Sequence, residues 1–190
     1  SQPWYEWSEL ADPFEGSFEK ILEVAMERGL VTDATIAQSE AQRQALWNIR
    51  EMMPESQKHE GGSIKHDVSV PVSKIPAFIA EATQAVNRFM PDARVMSFGH
   101  MGDGNMHFNV TQPEGMDKQK YLDCWQAMNG VVFGVVHKFG GSISAEHGIG
   151  RLKLGHMVEI KSAVELAMMR DLKRLYDPLN IMNPGKVVPL

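Results

Sequence analysis

Three features of this 190-residue chain predict an α+β fold with a mainly antiparallel sheet covered by helices. Stretches that alternate apolar and polar residues are interleaved with stretches of helical spacing. Two of the strand-like stretches, 94–98 and 106–111, flank the turn Gly102-Asp103-Gly104, a hairpin signal that makes them antiparallel neighbours. A hairpin inside an alternating pattern favours α+β over a doubly wound parallel sheet.

The elements follow in order. Residues 3–10 alternate aromatic and polar types and predict a strand, after which Pro13 and Gly16 mark a turn. A helix is expected over 17–28, where Phe18, Ile21, Leu22 and Ala25 share a face, with Gly29 as its stop. Residues 31–37, with Ala34 and Ile36 apolar, predict a short strand, and 40–53 a second helix closed by Pro54. Ile64, His66, Val68 and Val70 alternate along a strand at 63–70 that Pro71 ends. A helix follows over 73–90. From 118 to 139, Tyr121, Trp125, Met128, Val132, Val135 and Phe139 recur at steps of three and four, which predicts one long amphipathic helix ended by Gly140-Gly141. A last helix at 162–176 leads into Asp177-Pro178 and an irregular tail, 180–190.

Bulk properties narrow the function. At 43% hydrophobic and 23% charged residues the composition is that of an ordinary globular protein, and the length favours a single domain. A net charge of -5, with no face concentrating Lys and Arg, argues against a nucleic-acid partner. The lone Cys124 excludes an internal disulfide and a thiolate metal cage, which fits a reducing, cytoplasmic setting. The apolar run at 131–136 is far shorter than the ~20 residues that span a bilayer, so no transmembrane segment is expected. The opening Trp4-Tyr5-Glu6-Trp7 lacks the parts of a signal peptide and reads as the interior of a larger protein.

Two glycine-rich clusters carry the chemistry. In Gly99-His100-Met101-Gly102-Asp103-Gly104-Asn105-Met106-His107 the hairpin directs two imidazoles to one point, and Ser144-Ala145-Glu146-His147-Gly148-Ile149-Gly150 adds a carboxylate and a further imidazole. Two histidines and a glutamate match an open metal site with one position for water or substrate, zinc being a natural guest. Any one of these histidines alone is more often a turn residue satisfied by backbone carbonyls; the set of three favours the metal. His147 is the candidate base, because an ordinary imidazole accepts a proton near neutral pH. The roles remain interchangeable at this level, since His147 can equally be a third nitrogen ligand with Glu146 as its orienting partner. Arg50 and Lys65 suit a carboxylate-bearing substrate, although each alone reads as an ordinary surface charge.

These clusters, with Asp177-Pro178 and Asn183-Pro184-Gly185-Lys186, resemble the C-terminal domain of FAD-linked oxidases. That family, within the vanillyl-alcohol-oxidase flavoprotein group, includes D-lactate dehydrogenases, the glycolate oxidase flavin subunit and D-2-hydroxyglutarate dehydrogenase. The resemblance runs in order from about Trp4 to Pro189. It implies a ferredoxin-like cap, or substrate, domain over residues 1–190, laid on an FAD held mainly by an N-terminal domain of the same polypeptide that no stretch here replaces. It further implies a divalent metal, described in family members as zinc, on His100, His107 and Glu146, with His147 as catalytic base. Arg50, Lys65 and Asn109 would contact the substrate and Asn183 would lie near the flavin. Proline stands at Pro54 where the related sequence has threonine, removing a side-chain hydrogen bond and leaving the choice of 2-hydroxy acid open.

The implied reaction is oxidation of a D-2-hydroxy acid of lactate, glycolate or 2-hydroxyglutarate type to the 2-oxo acid, with hydride passing to flavin and electrons onward to an acceptor such as a quinone, a cytochrome or an electron-transfer flavoprotein. The isolated fragment is expected to be inactive without its flavin domain, and the face left by that domain is one on which two copies could form a homodimer. Rival readings are a metal-dependent hydrolase, in which His147 activates a metal-bound water, and a non-catalytic cap or assembly module.

Overall fold

The computed structural model describes residues 4–9 and 16–189. The chain divides into two compact units, Ser1–Ser56 and Gln57–Leu190. The first contains α1 (Ser17–Glu27) and α2 (Glu40–Ser56). The strands expected at 3–10 and 31–37 do not form, since residues 4–9 and 31–37 carry neither helix nor strand. Alternation supplies a face but no neighbour, and a strand needs a partner for its backbone groups. Glu9 instead accepts a hydrogen bond from the Trp47 indole at 2.9 Å and pairs with Arg43 at 3.3 Å. The expected turn at Pro13 lies outside the described residues. Pro54 does not close α2, which runs on to Ser56. A proline this near a C-terminus forfeits one helical hydrogen bond without turning the chain aside, and the Ser56 hydroxyl takes up the Met52 carbonyl at 2.9 Å.

The second unit is built on a three-stranded sheet of β1 (Ser63–Ser69), β2 (Arg94–His100) and β3 (Asn105–Thr111), in the order β1-β3-β2. Both outer strands run antiparallel to β3 and hence parallel to one another, and α3 (Ile75–Phe89) crosses between them. This is a split βαβ unit with β3 inserted, the half-motif of ferredoxin-like folds. A fourth strand on the free edge of β1 is reduced to one antiparallel bridge, Ser69 with Ser142.

Alternation decides the two faces. Ile64, His66, Val68, Met106, Phe108 and Val110 are buried beneath α3 and α5 (Trp125–Lys138). Ile75, Phe78, Ile79, Ala82 and Val86, at helical spacing, form the buried stripe of α3, and the Phe78 and Phe108 rings meet edge-on at 5.7 Å. The opposite sheet face carries Lys65 and Asp67 of β1, Phe98 and His100 of β2, and Asn105, His107 and Asn109 of β3.

The helix expected over 118–139 is two helices, α4 (Lys118–Asp123) and α5, broken at Cys124, where ψ is 2° and the N–H bonds back to Tyr121. The break lets Tyr121, wholly buried, donate its hydroxyl hydrogen to the Val110 carbonyl at 2.5 Å. Beyond the second glycine cluster a helix not foreseen from the sequence, α6 (Leu154–Ile160), precedes α7 (Ala163–Tyr176). Ser162 and Glu165 form a reciprocal capping box that starts α7. Along α7, Val164, Met168, Leu172 and Leu175 form an exposed apolar stripe.

His66 gives the core a pH dependence. Its Nδ1 lies 2.8 Å from the Phe108 carbonyl and its ring meets Phe133 edge-on, and burial pushes its pKa down from 6.5 to about 4, outweighing the help of that carbonyl. Above pH 6.5 the ring is neutral in both states and the stability is intact. Between pH 6.5 and 4 the unfolded chain takes up a proton that the folded one refuses, so stability falls with about 1.4 kcal/mol per pH unit. Urea unfolding midpoints measured across this range should fall less steeply in His66→Leu than in wild type. Parallel slopes would remove His66 as their source.

Candidate active site

The site stands where β1, the β2-β3 hairpin and the segment after Ser142 meet. His100 pairs with Asn105 and His107 with Phe98, so the two histidines are diagonal neighbours on one face and not directly opposed. Their rings are 6.0 Å apart. The hairpin turn depends on Gly104, whose φ of +70° suits glycine. A Cβ there would lie 2.1 Å from the Val70 carbonyl oxygen, and the Gly104 carbonyl accepts the Val70 N–H at 3.0 Å.

The second loop is fixed to the same end of β1. Ser69 and Ser142 exchange both backbone hydrogen bonds, at 2.9 and 2.8 Å. A Cβ on Gly141 would fall 2.2 Å from the Ser69 oxygen, so only glycine lets the two backbones come this close. The chain then carries Glu146 to the hairpin, with Oε1 3.7 Å from His100 Nε2. The Asn105 amide also donates to Glu146 Oε1.

One ligand atom from each of His100, His107 and Glu146 lies within 4.8 Å of the others. Three ligands bound at about 2.0–2.2 Å to one zinc ion stand at most about 4.4 Å apart, so small side-chain adjustments would close the set. Two nitrogens and one carboxylate oxygen match an open catalytic metal site in donor type and number. His147 stacks 6.5 Å from the His107 ring and its side chain is 69% exposed, leaving it room to meet a ligand.

Behind the loop lies Asp67, which the sequence reading did not single out. Its carboxylate accepts the Glu146 N–H at 3.1 Å and the His147 N–H at 2.9 Å. Burial pushes this carboxyl up, but the two N–H bonds together with nearby His147 and Lys153 outweigh it and leave the group below the usual carboxylate range. Burial in turn pushes the Lys153 ammonium down, partly offset by Asp67.

The family model for the C-terminal domain of FAD linked oxidases matches residues 11–187. The chain belongs to that family. It is 42% identical over 165 residues, 87% of its length, to a D-2-hydroxyglutarate dehydrogenase of Stutzerimonas stutzeri, of which that stretch is 35%. It is 38% identical over 188 residues to one of Xanthomonas citri pv. viticola, covering 97% of this chain and 40% of the relative. A mitochondrial D-2-hydroxyglutarate dehydrogenase of Danio rerio is 35% identical over 175 residues, 92% of this chain and 32% of its own. The chain thus spans roughly a third of the length of these relatives.

In this FAD-linked oxidase domain the other expected residues are placed as follows. Lys65 is exposed on β1 and pairs in register with Asn109, on the same face as His107. Asn109 is buried, and its amide donates to Gln57 Oε1 at 2.9 Å, so Gln57 is a polar group beside Asn109 that the sequence did not reveal. Arg50 is half-buried on α2, in the first unit. Asn183 lies in the tail with φ 51°, and that tail is tied back to the site loop by a 2.9 Å bond from Val187 N–H to the Gly150 carbonyl. FAD is the cofactor the family implies. Among the described residues no helix is long and apolar enough to cross a membrane.

Proposed function

We propose that this chain is the substrate-side domain of an FAD-dependent dehydrogenase that oxidises a D-2-hydroxy acid to the 2-oxo acid, with 2-hydroxyglutarate the first candidate. The observation that carries this reading is the meeting of His100, His107 and Glu146 beside His147, in a chain whose relatives are named D-2-hydroxyglutarate dehydrogenases. His100, His107 and Glu146 would hold a divalent cation, zinc by donor type. When bound, that cation supplies Lewis acidity toward the substrate hydroxyl, and FAD supplies the hydride acceptor.

The chain's own residues do the rest. His147 takes the hydroxyl proton, which leaves the α-carbon hydrogen to depart with its electron pair as the carbonyl forms. Lys65 attracts a substrate carboxylate as a point charge, and Arg50 grips one through its planar fork. Asn109 offers an amide hydrogen bond on the same sheet face as the histidines. Asn183 is assigned to the flavin side. The apolar stripe on α7 is assigned to the FAD-binding part of the same polypeptide, in keeping with the relatives being roughly three times longer. A reducing, cytoplasmic location is the reading supported by the lone Cys124.

The test uses the full-length protein and dye reduction with D- and L-2-hydroxy acids, before and after chelation. D-2-Hydroxyglutarate should be turned over fastest, with activity lost on chelation and restored by zinc. Turnover of L acids alone, or rates indifferent to chelation, would overturn the substrate or the metal assignment respectively.

A further inference from the structure

We propose that Asp67 and Lys153 are positioning residues that clamp the 143–148 loop to the end of β1 and thereby set where Glu146 and His147 point. The inference rests on the metal reading of the trio given above.

Asp67 comes from the outer strand β1, opposite His107 in register, and its side chain is 5% exposed. Its partners lie 79 and 80 residues further along the chain. Two successive backbone N–H groups converging on one anion form a concave cradle, and here that cradle is filled by a side chain of the same protein. Neighbouring N–H groups share a direction only when the backbone between them is not extended, which brings consecutive side chains toward a common region. Glu146 accordingly reaches His100 while His147 lies over His107.

Lys153 secures the near end of the loop. Its ammonium donates to the Ile143 carbonyl at 2.7 Å and to the Asp67 carbonyl at 3.4 Å, and it sits 3.9 Å from Asp67 Oδ2. One acid and one cation therefore bind the loop through backbone groups, which side-chain changes within the loop other than to proline leave in place.

Asp67, Glu146 and His147 also offer ligand atoms within 4.8 Å of one another, a geometry open to a second reading as a metal site. Both Asp67 oxygens are already engaged by N–H groups, so a cation there would compete with the bonds that hold the loop. Asp67 holds the ligand loop and does not ligate.

The test is made on the full-length holoenzyme with Asp67→Asn and Lys153→Met, each checked for its thermal midpoint. Partners that orient metal ligands typically carry 10–100-fold in metal affinity, and zinc titration against a competing chelator should show a loss of that size in Asp67→Asn. The same variant should lose kcat at least tenfold with a smaller change in KM. In wild type, hydrogen exchange at the Glu146 and His147 amides should be as slow as at β1.

A folded Asp67→Asn with wild-type zinc affinity and kcat would overturn the proposal, as would fast exchange at those two amides. Should Asp67→Asn not fold, amide exchange in wild type and the zinc affinity of Lys153→Met decide it by the same criteria. Wild-type protein that binds zinc no better than His100→Ala would remove the metal reading instead, while protected amides and a kcat loss in Asp67→Asn would still report the clamp on His147.

Discussion

Replacing His147 with alanine in the full-length protein should lower kcat by roughly a hundred- to ten-thousand-fold, the range carried by a positioned general base. That corresponds to about 3–5 kcal/mol of transition-state stabilisation. KM should change little, since Arg50 and Lys65, the groups proposed to bind the substrate carboxylates, are unaltered. Zinc content should stay at the wild-type level, because the proposed ligands His100, His107 and Glu146 are untouched. The wild-type side chain is 69% exposed, so its removal leaves a gap that a small molecule can enter, and added imidazole should restore part of the rate. A variant with normal turnover would dismiss His147 as the base. A variant that also loses zinc would make it a ligand.

His107→Ala should have the larger effect on metal binding. His107 sits in the middle of β3, which is bonded to a strand on each side, so the backbone that carries it survives the loss of the side chain. Removal of one of the three proposed ligands should weaken zinc binding by more than 100-fold, beyond what orienting partners alone carry. Equilibrium dialysis with zinc and dye reduction with a D-2-hydroxy acid should both register it, and zinc in excess should recover part of the activity. Undiminished zinc stoichiometry in this variant would displace the metal from the hairpin.

The hairpin, the first strand and the stripe of α3 were legible in the sequence because each is specified locally, by alternation, by glycines at a reversal, or by three- and four-residue steps. The nearness of His100 and His107 was only partly legible: their spacing across a hairpin suggested it, but a one-residue shift in register would put them on opposite faces, and it is the pairing of His100 with Asn105 that puts them on one. Asp67 was not, because it reads as one more polar residue of an alternating strand until its partners 79 and 80 positions away are in place. Residues 4–9 and 31–37 carried the strand pattern without a strand to pair with. The break at Cys124 leaves apolar periodicity nearly continuous, which hid the division of one helix into two. Gly155 and the glycines before it masked α6, whose seven residues are too few for a periodic signal.

The Ser69–Val70 peptide bonds to Ser142 on one side and to Gly104 on the other. Both halves of the candidate ligand set are thus surveyed from a single benchmark. Thermal jitter of that peptide displaces the imidazole pair and the carboxylate in common, so errors in their separation do not accumulate along the stretch of chain from His107 to Glu146.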